Sequence, residues 1–222
     1  MFQTLNQKIG TKEFIKDHVI MYLVNADHNK KLLESAPYIR YLDLAIMFRV
    51  VVERNNESVG SYILKNEIAN SIGATVLEIF KWANENTFKM FKPKCNSMLD
   101  AIKETIPEEI LAEMEELEEL ENNDANMYVA TVESGVNGAV VMTNKAFLKE
   151  FADKIDDDFY ILPSSVHEIL LIPSSNGNDA SELNTMVKDV NSTVLSDKEF
   201  LSNSVYMYKR SLDNIVICSA DE

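Results

Sequence analysis

Apolar residues recur at every second position along some stretches of the chain and with the helical period of 3.6 along others. Residues 19–26 are rich in β-branched and aromatic side chains, and residues 38–53 alternate between two faces, so both stretches predict strands. We expect these strands to pair antiparallel, as a hairpin with an elaborated connection. Residues 2–15 predict an amphipathic helix before the first strand.

The middle of the chain follows the helical period. The buried stripe predicted for its first helix, at i, i+3, i+4 and i+7, comprises Val76, Ile79, Phe80 and Ala83. Thr75 stands immediately before this stripe and Glu78 follows three residues later, which is the pattern of a capping box. The sequence therefore predicts a helix that begins just after Thr75.

A second helix is predicted to begin near Pro107, because proline favours the first helical turn and carboxylates favour its positive end. Its apolar positions are Ile110, Leu111, Met114, Leu117 and Leu120. Residues 104–144 contain eleven acidic residues and no Lys or Arg, in a chain of net charge −15. The interpretation we favour is a solvated helix face. The alternative is a nucleic-acid mimic that binds a basic groove on a partner, and its candidate contacts are Glu115, Glu116, Glu118 and Glu119.

The last third of the chain mixes strands and helices. Residues 127–144 predict two strands around a turn between Gly135 and Gly138, and residues 145–155 predict a helix. Two apolar runs that each end in proline predict a strand pair at 159–163 and 168–173, and residues 205–218 predict a terminal hairpin. Between them lies a helix whose predicted inward positions are Leu183, Met186, Val187 and Val190.

These elements show no regular βαβ repeat, so the predicted fold class is α+β, with mixed, largely antiparallel sheet elements and packed helices. We divide the chain into an N-terminal α+β region at 1–103, an acidic helical segment at 104–126 and a C-terminal α+β region at 127–222. The alternative is a single compact domain built from the first and last regions. A hydrophobic content of 46% suffices for either arrangement.

The stretch that joins the two proline-ended runs has the composition of an active site. A hydrolase would use Ser164 or Ser165 as the nucleophile and His167 as the base. Strand geometry argues against this, because successive side chains of a strand point to opposite faces, which separates His167 from Glu168. We favour a structural turn in which the serines satisfy backbone groups and the His167 ring packs on the core or caps a loop carbonyl.

Other candidate chemistry in the sequence is weaker. His18 and His28 flank the first strand, beside Asp17 and Asp27, but a metal site needs three or four convergent ligands. Residues 156–158 are three consecutive Asp, without the alternating oxygen ligands of a calcium loop. The sequence therefore predicts no metal site, no cofactor and no catalytic residue.

Charge, hydropathy and cysteine content limit the partners and the compartment. The chain contains no apolar run of the roughly 18 residues that cross a bilayer and no secretory signal, so we expect a cytoplasmic protein that does not enter a membrane. Cys95 and Cys218 fit no metal spacing; reduced thiols are the default, and a disulfide stays open. With 36 acidic against 21 basic residues, direct binding of nucleic acid is not expected.

The chain resembles a known protein family most clearly in four tracts, at residues 41–52, 127–142, 148–173 and 190–210. Between residues 19 and 210 the chain resembles a family of uncharacterised bacterial proteins from low-GC Gram-positive genomes and their mobile elements. It is more distantly similar to the YtpQ family, which is also uncharacterised. The resemblance implies a cytoplasmic α+β protein and assigns no catalytic residue.

Two functions of different classes follow. The one we prefer is a non-enzymatic cytoplasmic binding or regulatory protein of unknown partner, linked to mobile-element biology. The acidic helix is its candidate contact with a basic surface on a partner protein. The alternative is the hydrolase with Ser164 or Ser165 and His167. A contact between a serine oxygen and the imidazole would favour the hydrolase, and an acidic helix face without a deep polar pocket would favour the binding protein.

Overall fold

A computed structural model describes residues 9–55, 58–107, 127–193, 196 and 198–218. The described residues up to Lys92 form one compact unit, and those from Pro93 onward form another. In each unit helices accompany a sheet whose strand pairs are antiparallel, so the predicted α+β class is confirmed. The division at 103 and 126 stays a prediction, and most of the acidic segment, residues 108–126, lies outside the described residues.

The first unit has a four-stranded sheet. Its strands are β1 Val19–Asn25, β2 Tyr38–Tyr41, β3 Leu44–Arg54 and β4 Val59–Ile63. The predicted antiparallel pairing of the two apolar runs is confirmed, since β1 pairs with β3. The prediction of one unbroken strand over 38–53 is wrong, because the chain turns at Leu42, whose φ is 57°, and β2 folds back on β3. Alternation of apolar positions continues across such a tight turn, so the period alone does not detect it.

Four helices of the described residues belong to the first unit: α1 Lys12–His18, α2 Lys30–Glu34, α3 Asn66–Ser71 and α4 Val76–Met90. The predicted helix over 2–15 is only partly right, because α1 begins after its cap at Thr11 and continues to His18, while residues 2–8 lie outside the described residues. The capping box of α4 is confirmed: the Glu78 N–H donates to Thr75 Oγ1, and the Thr75 N–H donates to Glu78 Oε2.

The buried face of α4 differs in part from the predicted stripe. Ile79 and Ala83 are buried, but Val76 is 36% exposed and Thr87 is buried in its place. The Thr87 hydroxyl accepts a hydrogen bond from the Met21 N–H at 2.8 Å and donates to the Ala83 carbonyl at 2.6 Å. This polar residue is buried because it satisfies a backbone donor of β1.

The second unit is built on a six-stranded sheet. Its strands are β5 Pro93–Ser97, β6 Tyr128–Val132, β7 Phe159–Pro163, β8 Ile169–Pro173, β9 Val205–Lys209 and β10 Asn214–Cys218, in the order β10-β9-β7-β8-β6-β5. The predicted strand pair β7–β8 and the terminal hairpin β9–β10 are confirmed. The edge strand β5 lies in a stretch for which the sequence predicted neither a strand nor a helix.

The helices described in this unit are α5 Met98–Thr105, α6 Lys145–Ile155 and α7 Ala180–Thr193. The predicted helix over 145–155 is therefore confirmed. The second of the two strands predicted within 127–144 is wrong, because Gly138–Thr143 forms a 3-10 helix. Its residues from Gly138 to Met142 are all buried, and a continuous apolar run does not distinguish a buried helix from a buried strand.

The two faces of the six-stranded sheet are covered differently. On one face, four aromatic rings form a row in which each contacts the next, with neighbouring centroids 4.9–5.1 Å apart. In order along the row they are Tyr128, Phe151, Phe159 and Tyr208. On the other face, α7 packs against the sheet through Leu183 and Val187, and the buried sheet residues of this cluster are Leu162, Ile172 and Val205. The prediction that Met186 and Val190 also face inward is wrong, because they are 41% and 45% exposed.

A membrane span needs a helix of about 18 or more largely apolar residues, and none of the helices in the described part of the chain meets this requirement.

Candidate functional site

The tract with the predicted serines and histidine forms the loop between β7 and β8. The Ser165 N–H donates to the Glu168 carbonyl at 3.2 Å and closes the loop. The Ser165 hydroxyl oxygen accepts a hydrogen bond from the His167 backbone N–H at 3.0 Å. The Ser164 hydroxyl donates to Glu168 Oε1 at 3.3 Å. In the described part of the chain, both serine side chains therefore pair with groups other than the imidazole.

The imidazole of His167 bonds to the backbone of a neighbouring segment. Its Nδ1 accepts a hydrogen bond from the Asn137 N–H at 3.2 Å, and the His167 carbonyl oxygen accepts one from the Thr131 hydroxyl at 2.7 Å. A ring nitrogen that accepts a hydrogen bond carries no proton, so the neutral tautomer holds its proton on Nε2. We expected the ring to pack on the core or to cap a loop carbonyl; its Nδ1 caps a backbone N–H, not a carbonyl.

A glycine lets this loop approach the 3-10 helix closely. A Cβ atom at Gly138 would overlap with Thr131 Oγ1 and with the His167 carbonyl oxygen, and would lie 2.9 Å from the Val132 nitrogen. The Ala139 N–H donates to the Val166 carbonyl, and the Val166 N–H donates to the Glu199 carbonyl. These hydrogen bonds hold the loop from both sides. Such fixation fits a structural role for the loop better than the role of a mobile catalytic loop.

An apolar cavity of about 150 Å³ opens beside this loop. Its apolar lining includes Met127, Leu162, Pro163, Leu170, Met186 and Val190. A second, open cavity of about 480 Å³ lies along the outer side of α7 and includes Met186 and Val190 as well. We name these two features, which share the lining residues Met186 and Val190, the α7 groove. Sequence analysis missed this groove because it placed Met186 and Val190 in the core.

The α7 groove has acidic and uncharged walls. Glu182 and Asp189 line the outer cavity, and Ser164, whose hydroxyl bonds to Glu168, lines the inner one. None of the described residues that line either cavity is Lys, Arg or His. The groove can therefore accept apolar groups and attract cations to its edge.

The acidic partner-binding candidates Glu115, Glu116, Glu118 and Glu119 lie outside the described residues. The described start of the acidic run is Glu104, which pairs with Lys94 and accepts a hydrogen bond from Asn96 at 2.9 Å. The hydrogen bond from Lys94 is the main reason that the pKa of the Glu104 carboxyl lies below its usual value.

The two histidines that flank β1 do not converge. The His18 ring donates from Nδ1 to the Phe14 carbonyl at 2.8 Å and stacks on the Phe14 ring. His28 follows the other end of the seven-residue strand, so the strand alone separates the two by roughly 23 Å. Asp27 forms an ion pair with Lys30 at 3.2 Å. Among the residues that the structure describes, no group of three or more His, Cys, Asp or Glu side chains could hold a metal ion.

Two of the three consecutive aspartates cap nearby backbone groups, and the third, Asp156, forms an ion pair with Arg210 at 2.9 Å. Asp157 accepts hydrogen bonds from the Ser174 hydroxyl at 2.7 Å and the Ser175 N–H at 2.8 Å, and Asp158 accepts one from the Arg210 N–H. Burial acts to raise the pKa of the Asp157 carboxyl, but the hydrogen bonds from both serines outweigh it and leave that pKa below its ordinary value. These carboxylates therefore stabilise the turn between α6 and β7.

The cysteines form no disulfide with each other. Cys95 lies on the edge strand β5 and Cys218 on the opposite edge strand β10, which five strand spacings separate by roughly 24 Å. Burial raises the pKa of the Cys95 thiol to about 11, although Lys154 opposes this. The Cys95 thiol is therefore protonated and unreactive at neutral pH.

Taken together, the described residues define an α+β protein with two antiparallel sheets and an acidic, apolar groove on the second unit. Residues 3–210 match the model of a family described as a family of unknown function, DUF5688, and the chain belongs to this family. The match includes the loop with His167 and helix α7. No curated protein and no solved structure matches the chain.

Proposed function

We propose that this protein is a non-enzymatic binding or regulatory protein whose partner is another protein. The observation that supports this most is the charge distribution: residues 104–126 contain ten acidic residues and no basic one. Such a segment attracts a basic protein surface and speeds the encounter with it. The resemblance to bacterial proteins of mobile elements supports a role in the cytoplasm that is linked to mobile-element biology.

The same charge argues for a protein partner over nucleic acid. A phosphate backbone binds where Lys and Arg displace its counterions, and a net charge of −15 opposes this. Any role in nucleic-acid biology then runs through a basic partner. The acidic candidates Glu115, Glu116, Glu118 and Glu119 are the positions at which this attraction is tested.

Hydrolysis with Ser164 or Ser165 and His167 is the alternative, and it has less support. In the tautomer that the Asn137 N–H selects, the lone pair of Nδ1 is occupied and Nε2 carries a proton. The imidazole then has no free lone pair that can take a proton from a serine. Labelling of Ser164 or Ser165 by a fluorophosphonate probe would restore the hydrolase.

The experiment for the proposed function is capture of partners from the native host, followed by binding kinetics with the purified partner. We expect an increase from about 50 to 500 mM salt to weaken the complex steeply, because salt screens exposed charges within a few ångströms. Changing Glu115, Glu116, Glu118 and Glu119 together to Lys should slow association more than it speeds dissociation.

A matched control changes the net charge equally at exposed acidic positions of the first unit: Asp17, Glu34, Glu53 and Glu85, each to Lys. We expect this control to retain most of the association rate, because its charges lie outside the acidic segment. A complex that responds to neither salt nor the four reversals in the acidic segment would remove that segment from the mechanism.

A further inference from the structure

Helix α7 exposes apolar side chains because a buried polar residue fixes its rotation. Asn184 is buried; its Oδ1 accepts a hydrogen bond from the Val205 N–H at 3.3 Å, and its Nδ2 donates to the Ala180 carbonyl at 2.9 Å. Turning α7 to bury Met186 would break the bond to β9. Met186 and Val190 stay 41% and 45% exposed as a result. These positions are one helical turn apart, about 40° around the axis, so they form one continuous stripe.

The size of the inner cavity favours a protein side chain over a small molecule as its occupant. The inner cavity of about 150 Å³ lies between α7 and the sheet residues Leu162 and Leu170. Pockets for small molecules usually have volumes of roughly 300–1,000 Å³. The outer cavity of about 480 Å³ lies within that range, but only residues of α7 line it, so it covers just one side of a ligand. A cavity below that range, opening into a groove along a helix, matches one anchoring side chain of a larger ligand that lies across Met186 and Val190.

The charges beside the stripe determine which sign of charge the ligand should carry. Glu182 and Asp189 lie about 40° and 60° from Met186 on the same side of α7. The only basic residue of the helix, Lys188, lies about 160° away from Met186. An apolar stripe bordered by carboxylates is complementary to an apolar stripe bordered by Lys or Arg.

The strand order selects the conformation of the ligand. The sheet residues of the inner cavity belong to β7 and β8, which are interior strands, while the edges of the sheet are β5 and β10. An added strand needs an open edge, so strand addition does not take place at this groove. An amphipathic helix needs only a groove of side chains.

We propose that the α7 groove is the docking site for a basic amphipathic helix of a partner protein. The partner's apolar residues contact Met186 and Val190, one of them enters the cavity beside Leu162, and its Lys or Arg residues pair with Glu182 and Asp189. This inference rests on the proposed binding function and names the surface and the partner's chemistry.

The test uses the full chain and two synthetic helical peptides of identical Leu pattern, one with Lys and one with Glu at every polar position. Fluorescence anisotropy measures the binding of each. We expect the Lys peptide to bind and the Glu peptide not to bind. The double variant Met186→Gln, Val190→Thr should weaken binding of the Lys peptide about tenfold or more. Its matched control is Leu77→Gln in the first unit, where Leu77 is 74% exposed, and this control should bind normally.

Charge at the groove is tested by Glu182→Gln with Asp189→Asn. We expect this variant to weaken binding several-fold and to reduce the salt dependence. If the Lys peptide binds equally well to the Met186→Gln, Val190→Thr variant but loses affinity when the acidic segment is reversed, the groove is not the site. The proposed attraction by the acidic segment would then survive without the further inference.

Two other occupants of the groove would overturn the inference. A third peptide, in which Gln replaces every Lys of the Lys peptide, carries no charge on its polar face. If this peptide binds more tightly after residues 108–126 are replaced by a Gly-Ser linker of equal length, the chain's own segment fills the groove. If the protein sediments as a dimer that the Met186→Gln, Val190→Thr variant converts to a monomer, a second copy fills it. Circular dichroism and thermal unfolding of each variant show whether it remains folded.

Discussion

Replacement of Gly138 by Ala should destabilise the second unit strongly, because its neighbours leave no room for a methyl group. The added Cβ would overlap with Thr131 Oγ1 and the His167 carbonyl oxygen, two atoms that are hydrogen-bonded to each other. The Val132 nitrogen, 2.9 Å from the Cβ position, belongs to β6 and moves only with the strand. Overpacking of this kind costs about 1–3 kcal/mol, and breaking a half-buried hydrogen bond adds about 1–3 kcal/mol.

We therefore expect a loss of about 3 kcal/mol or more in the free energy of unfolding, and a fall in Tm of roughly 6–12 °C. Differential scanning calorimetry measures the Tm, and hydrogen exchange should locate the loss of protection in residues 128–173. Gly10→Ala is the matched control: nothing lies within 4 Å of its Cβ position, so its Tm should change little. Thr131→Ala removes one of the two clashing atoms, so Gly138→Ala should cost less in that background. A Gly138→Ala protein whose Tm falls by less than about 2 °C would refute the close approach.

Two further predictions concern His167 and Cys95. His167→Gln should lower the free energy of unfolding by about 1 kcal/mol, since it disturbs the acceptor for the Asn137 N–H, while His167→Asn should retain more stability because its Oδ1 can take the place of Nδ1; both should bind the partner normally, and a folded variant that fails to bind would contradict the structural role. Iodoacetamide at pH 8 should modify Cys95 far more slowly in the folded than in the unfolded protein, as peptide mass spectrometry would show. In the folded protein the pKa of the Cys95 thiol is about 11, above the value of 9.0 for an unperturbed thiol. The folded state therefore holds the thiol proton more tightly than the unfolded state does, and the stability that results is lost as pH rises from about 9 to 11. Equal rates in both states would contradict the burial.

Local patterns in the sequence were enough to predict several elements. The Thr75–Glu78 pair marked the start of α4, because a capping box is made within four consecutive residues. The proline-ended runs predicted the β7–β8 hairpin, because both strands and the loop between them lie within fifteen residues. The fold class followed from the succession of such elements. The acidic run was equally visible, since net charge depends on composition alone.

The tertiary structure decided the features that depend on distant residues. The period of two continued through the turn at Leu42, so one predicted strand was in fact two. Gly138 was assigned to a turn, and only its contact with Thr131 and His167 shows why glycine is required there. The rotation of α7 depends on the bond between Asn184 and the Val205 N–H, 21 residues away along the chain. A helical period records that a helix has an apolar face, but its depth and direction of burial are set by such long-range bonds, and these expose Met186 and Val190 on α7.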